Sequence, residues 1–144
     1  MNFGDITIPN EHIIVRSKLS FVFVNLRPFL PHHILVSPIR KIASITELTS
    51  EETADLFNTV RLCTIALQRF GDSCTISLQN GVNAGQTVLH VHVHVIPRKN
   101  GDLKNNDDIY KNGALGYIRT DRAFEDMEKE RNFLKPFFDE VFDN

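Results

Sequence analysis

Three histidines alternate with three valines in one short run, His90-Val91-His92-Val93-His94-Val95. In an extended chain, residues i, i+2 and i+4 point to the same face. The run therefore predicts a strand with three imidazoles crowded on one side and three valines buried on the other. A strand made only for packing has no use for three adjacent imidazoles. The pattern asks for a reactive surface held rigid by the core behind it.

The 144 residues suit a single domain, 1–144, burying roughly two thirds of the surface its unfolded chain exposes. With 42% hydrophobic and 24% charged residues, the composition predicts a folded, soluble globule. The net charge is only -2, so an anionic ligand has to be held by local donors and not by the field of the whole molecule. No basic run points to a nucleic-acid partner. Met1-Asn2-Phe3-Gly4-Asp5 shows neither a basic nor an apolar leader pattern. Apolar runs such as Phe21-Val22-Phe23-Val24 are too short to cross a bilayer, so no membrane partner is expected. Cys63 and Cys74 are not in a C-x-x-C arrangement and sit among apolar neighbours. They read as buried, reduced thiols of a cytoplasmic protein, with the nucleus equally open to it.

Residues 12–16 and 19–24 are rich in β-branched and aromatic residues and predict two strands. The prolines Pro28 and Pro31 mark a loop. A third strand, 33–37, puts His33, Leu35 and Ser37 on one face. Thr49-Ser50-Glu51-Glu52 fits a capping box and opens a long helix with Leu56, Phe57, Val60, Cys63, Thr64, Leu67 and Phe70 at helical spacing, ended by Gly71. Leu62, Ile65 and Ala66 widen its apolar stripe beyond one core face, which leaves a partner surface or ordinary burial open. Residues 74–79 read as a strand, 81–85 as a loop, and 88–96 as the histidine strand, closed by Pro97. Residues 99–116 are rich in Lys, Asn, Asp and Gly and predict a mobile loop. A final helix over 121–142 is expected, capped by Asp121, with Phe124, Met127, Leu134, Phe138 and Val141 on its face. Pro136 should kink or restart it. His12 and His32 read as surface residues. The order of elements lacks regular βαβ alternation. It predicts an α+β fold, an antiparallel sheet of about five strands with one long helix and a C-terminal helix packed on it.

Three readings of the histidine run compete. The first is satisfied polar residues on an exposed sheet face. The second is a metal site, since histidines at i and i+2 can chelate zinc with a third ligand from elsewhere. Against it, Cα atoms at i and i+4 stand roughly 13 Å apart, and no carboxylate or cysteine lies nearby in sequence. The third is nucleophilic catalysis at phosphorus. A neutral imidazole attacks well when one nitrogen is free and the other N–H is held. The flanking histidines, when protonated, can donate to phosphoryl oxygens. His92, the middle residue, is the natural nucleophile.

The run His90-Val91-His92-Val93-His94-Val95-Ile96 resembles the signature of the histidine triad superfamily. Within it, the chain is similar to the fragile histidine triad (Fhit) branch. The likeness runs from Leu19-Ser20-Phe21 and Val24-Asn25 through His33-Ile34-Leu35-Val36, Ala54-Asp55-Leu56-Phe57, Gln79-Asn80-Gly81 and Ala84-Gly85-Gln86-Thr87-Val88. It continues to Pro97-Arg98-Lys99-Asn100-Gly101-Asp102 and Asp108-Ile109-Tyr110, then fades. The phosphoramidase (Hint) branch usually follows the triad with Gly-Gly-Arg, where this chain has Pro97-Arg98-Lys99. Two departures stand out. Relatives often carry a histidine where this chain places Ile6, and the stretch after Tyr110 diverges, with Pro136 intruding.

The resemblance implies a single HIT-like domain that hydrolyses diadenosine triphosphate and related dinucleoside polyphosphates to AMP and ADP through a nucleotidyl-histidine intermediate. It implies His92 as nucleophile, with His90 and His94 supporting the nucleophile and the phosphate and His33 behind them. It implies Gln86 near the scissile phosphate, Gln79 on the nucleotide and Asn25 on the ribose hydroxyls. Gly85 and Thr87 would donate to phosphate, and Tyr110 would lie in the loop at a position associated with phosphorylation. No protein-bound cofactor or metal is expected, a divalent cation, Mg or Mn, travelling with the substrate instead. A homodimer with an extended sheet is implied. A Hint-like nucleoside phosphoramidase and a nucleotide-bound signalling sensor are the alternatives.

Overall fold

Residues 1–111 and 120–143 are described in a computed structural model of the chain. A short hairpin begins it, β1 (Asn2–Phe3) paired antiparallel with β2 (Ile6–Thr7). Gly4 makes its turn at φ 60, a conformation that a β-carbon disfavours. The main sheet contains β3 (Ile13–Arg16), β4 (Ser20–Val24), β5 (Ile34–Pro38), β6 (Ser73–Leu78) and β7 (Val93–Arg98) in the order β3-β4-β5-β7-β6, antiparallel throughout. This is the α+β sheet that the element order predicts.

Alternation along the strands builds two cores. Val22, Val24, Ile34, Val36, Val93 and Val95 face α1 (Ser50–Ala66) and α2 (Phe124–Phe142), and pack with Leu56, Val60, Cys63, Leu134 and Phe138. On the opposite face, Phe21, Phe23 and Leu35 pack with Phe3 of the hairpin. The capping box at Thr49 forms as the sequence predicts, with Thr49 Oγ1 accepting from Glu52 N–H and Glu52 Oε1 accepting from Thr49 N–H. Glu52 is also gripped by the Arg40 guanidinium fork, which holds its carboxyl down to about 2.

Several sequence expectations change. The predicted 88–96 strand begins only at Val93. The segment ahead of it is tied crosswise instead, Val91 N–H donating to Ile42 O and Ser37 Oγ donating to Val91 O. Pro97 does not close β7 but lies within it, since β5 runs alongside only to Val95. His12 ends a 3-10 turn and is buried, and β3 starts after it. Asp121 does not cap α2. It pairs with Arg27, and Ala123 takes the cap position without a side-chain bond. The helix runs through Pro136 to Phe142. Phe57 and Ile65 of α1 stay exposed, while Ala66 is buried. Of the predicted 99–116 loop, residues 112–116 lie outside the described residues. The rest holds a 3-10 turn, Asn106–Tyr110, with Ile109 buried and a half-buried Arg98–Asp102 ion pair. No described helix is long and apolar enough to cross a membrane.

Candidate active site

Behind the hairpin lies a cavity of about 470 Å³. Phe3, Ile8, Phe23 and Leu35 make its apolar walls. Asn25, Arg27, Thr87, His92 and His94 supply polar groups, and His12, Phe124 and Met127 line it from the first 3-10 turn and α2. An apolar cavity with a few convergent polar groups is the usual form of a small-molecule site.

Hydrogen bonding fixes the protons on the histidines. His92 Nδ1 lies 2.7 Å from the carbonyl of His90. A carbonyl only accepts, so Nδ1 carries the proton and Nε2 keeps its lone pair. His92 lines the cavity, 4.9 Å from the Phe3 ring between centroids in an edge-on arrangement. Burial lowers its pKa below the usual imidazole range, outweighing the His90 carbonyl bond that opposes the shift. The ring is neutral at neutral pH with a bare Nε2, the state a nucleophile needs.

His90 is placed differently from the expectation. Its Nδ1 accepts the Gly4 N–H at 2.9 Å, and its Nε2–H donates to Pro38 O at 2.8 Å. Both nitrogens are spent on the backbone, and burial lowers its pKa as well. His90 is thus a brace and not a phosphate donor. It anchors the hairpin turn and lends its carbonyl to His92.

His33 and His94 form a relay. The Phe29 N–H donates to His33 Nδ1 at 2.9 Å. The neutral ring therefore carries its proton on Nε2, which lies 2.9 Å from His94 Nδ1. His94 accepts there and carries its own proton on Nε2. Its ring lies 5.1 Å from that of His92 between centroids, and both line the cavity. The site thus offers a bare nitrogen beside a protonated one.

The remaining candidates divide. Asn25 lines the cavity, its Oδ1 accepting from Arg27 N–H, and its Nδ2 lies 3.2 Å from the His33 Nε2–H, a packing contact between two donors and not a hydrogen bond. Thr87 lines the cavity and is exposed. Gln86 does not line it. Its amide is buried, accepting from Gly81 N–H and donating to Ala43 O, so it ties the preceding loop together. Gly85 has φ 95, and a β-carbon there would meet Gln79 Nε2 at 2.6 Å. Gln79 therefore packs on the loop at that point. Tyr110 is exposed and outside the cavity wall.

Sequence reading missed Phe3, Gly4, His12 and Phe124. Gly4-Asp5 is a turn signal, but two-residue strands leave no period to read. His12 reads from the sequence as a surface residue, yet its ring packs on Phe124 at 4.4 Å between centroids, with Nε2 3.3 Å from the Phe124 carbonyl. His32 is half-buried and paired with Glu130.

A family model described as HIT domain matches residues 8–101. Bis(5'-adenosyl)-triphosphatase of Dictyostelium discoideum is 44% identical over 140 residues, covering 96% of this chain and 93% of the relative. The bifunctional bis(5'-adenosyl)-triphosphatase/adenylylsulfatase FHIT of Arabidopsis thaliana is 38% identical over 150 residues, 95% of this chain and 83% of that one. A crystal structure of Plasmodium falciparum diadenosine triphosphate hydrolase superposes with a TM-score of 0.80 at 34% identity, covering 98% of this chain and 85% of its own.

Proposed function

The chain belongs to the HIT domain family, and on that premise we propose that it hydrolyses diadenosine triphosphate and related dinucleoside polyphosphates, releasing AMP and ADP. The observation that carries this reading is the locked tautomer of His92, with Nδ1–H held by the His90 carbonyl and Nε2 bare in the cavity. The relatives named as triphosphatases support the choice of substrate.

In the first step, His92 Nε2 attacks a phosphorus and the bond to the bridging oxygen of the nucleoside diphosphate breaks. The proton on His94 Nε2 neutralises charge developing on that oxygen, and the relay through His33 holds the tautomer that makes it available. In the second step, water attacks the phosphorus of the nucleotidyl-histidine and the phosphorus–Nε2 bond breaks, its electron pair returning to His92 Nε2. The proton that water loses passes to His94 in place of the one given to the leaving group, and AMP leaves. Positioning supplies much of the rate, as in phosphoryl transfer generally. The apolar walls suit a nucleobase, and Asn25 stands at their polar edge for a ribose. In this reading the divalent cation rides on the polyphosphate. Chelation by His90 would require breaking its two backbone bonds. We extend the reading to a homodimer joined along β6, with the outward Ile76 and the exposed apolar residues of α1 as support.

Purified protein should turn over diadenosine triphosphate faster than diadenosine tetraphosphate or adenosine phosphoramidate. Quenched with substrate labelled at the α-phosphorus, it should carry label on His92. His92→Asn should lose turnover by orders of magnitude while still binding nucleotide. Near-normal turnover by that variant would falsify the assignment, and preference for the phosphoramidate would move the chain to the phosphoramidase reading.

A further inference from the structure

Residues 25–33 join β4 to β5 and carry Asn25 at one end and His33 at the other. A single carboxylate of α2 holds both ends. Glu130 Oε2 accepts the backbone N–H of His32 at 3.3 Å, and the His32 ring Nδ1 stands 3.1 Å from the same oxygen. Glu130 Oε1 accepts from Arg122 Nη2 at 2.8 Å, and Arg122 donates through Nη2 and Nε to the Asn25 carbonyl at 2.5 and 3.2 Å. Glu130 is largely buried, its side chain 11% exposed.

What this clamp restrains is a strained residue. His32 has φ 66, the only non-glycine among the described residues with a positive φ. A β-carbon disfavours that left-handed backbone, and it persists only where surrounding contacts hold it. The next residue is His33, whose Nδ1 has to meet the Phe29 N–H while its Nε2 reaches His94. A rotation at His32 would move both bonds.

We propose that Glu130 is a positioning residue for the His33–His94 relay. By holding His32 left-handed and, through Arg122, fixing the Asn25 carbonyl, it sets the tautomer that leaves a proton on His94 Nε2. The kinetic part of this inference rests on the hydrolase reading above.

Glu130→Gln keeps the side chain's shape but replaces one accepting oxygen with a donor, which cannot serve both Arg122 and His32. Nitrogen-15 NMR of the histidine rings in unliganded wild-type protein should show His33 and His94 protonated at Nε2 and bare at Nδ1. In Glu130→Gln the two rings should show mixed tautomers. With diadenosine triphosphate, kcat should fall about tenfold with a much smaller change in KM. Glycine accepts φ 66 without strain, so His32→Gly in the Glu130→Gln background should restore both the ring signals and kcat. Wild-type ring signals in Glu130→Gln, or a double variant no better than the single one, would overturn the inference. Absence of wild-type hydrolysis would instead overturn the functional reading, and the NMR arm would still decide this one.

Discussion

The carbonyl of His90 accepts from His92 Nδ1 at 2.7 Å, so the reactive nitrogen is chosen by the backbone two residues upstream. His90 can hold its carbonyl there because both of its own ring nitrogens are tied, to Gly4 and to Pro38. Burial lowers the pKa of His92 from the usual 6.5, against the pull of the His90 bond. The neutral ring is the nucleophile, so activity is present above the folded pKa and lost as pH falls through it. The folded value lies below 6.5, and the internal phosphates of a dinucleoside triphosphate do not titrate nearby. We therefore expect kcat/KM for the free enzyme to stay level as pH falls through 6.5 and to drop only below it. An acid limb at or above 6.5 in the pH–rate profile would contradict the assignment of that limb to His92.

At the scale of elements, α2 does more than its sequence announced. Its buried residues Met127, Leu134 and Phe138 follow the predicted face, yet the helix also supplies Phe124 to the cavity, Glu130 to the β4–β5 loop, and two basic side chains to β3. Pro136 lies within it and is exposed. Proline has no N–H for the carbonyl four residues back, so Pro136→Ala adds a helical bond and removes no buried surface. The greater freedom of alanine in the unfolded chain offsets part of that gain. We expect a net stabilisation of about 1–2 kcal/mol, read as a higher urea midpoint with unchanged slope. A lower midpoint would show that the helix depends on its proline. Such elements also mark how far sequence reading reaches. Thr49 and Glu52 write the start of α1 locally, and alternation wrote β4, β5 and the valine face of β7. The triad and His33 were legible because spacing of two puts side chains on one face. The tie of Gly4 to His90, 86 residues apart, and that of His12 to Phe124, 112 apart, leave no local pattern. The buried state of His12 and the backbone bonds of Gln86 are set by these distant partners and not by neighbours in the chain.

The whole molecule treats its two sheet edges differently. Along β3, Arg131 Nε donates to Ile13 O at 2.7 Å and Lys135 Nζ to Ile14 O at 2.9 Å. The helix thereby occupies carbonyls that a second sheet would need. At the other end of the order stands β6, which among the described residues pairs with β7 alone. Ile76 lies opposite Val95, on the face that packs against α1, and is 49% exposed. The helix α1, packed on that face of the sheet, also leaves Phe57 and Ile65 exposed. An unpaired edge strand that carries an exposed apolar side chain is a template for strand pairing. Two copies related by a two-fold axis would pair β6 with β6 antiparallel, extend the sheet to ten strands, and bring the two Ile76 side chains together. The protein should therefore sediment as a dimer at micromolar concentration. Ile76→Lys should yield a folded monomer, because the site is exposed in the single chain and a lysine there meets its own copy across the axis. Light scattering distinguishes the two states by mass, and far-ultraviolet circular dichroism checks that the variant keeps its fold. A wild-type protein that stays monomeric, or an Ile76→Lys variant that stays dimeric, would show that β6 is not the joining edge.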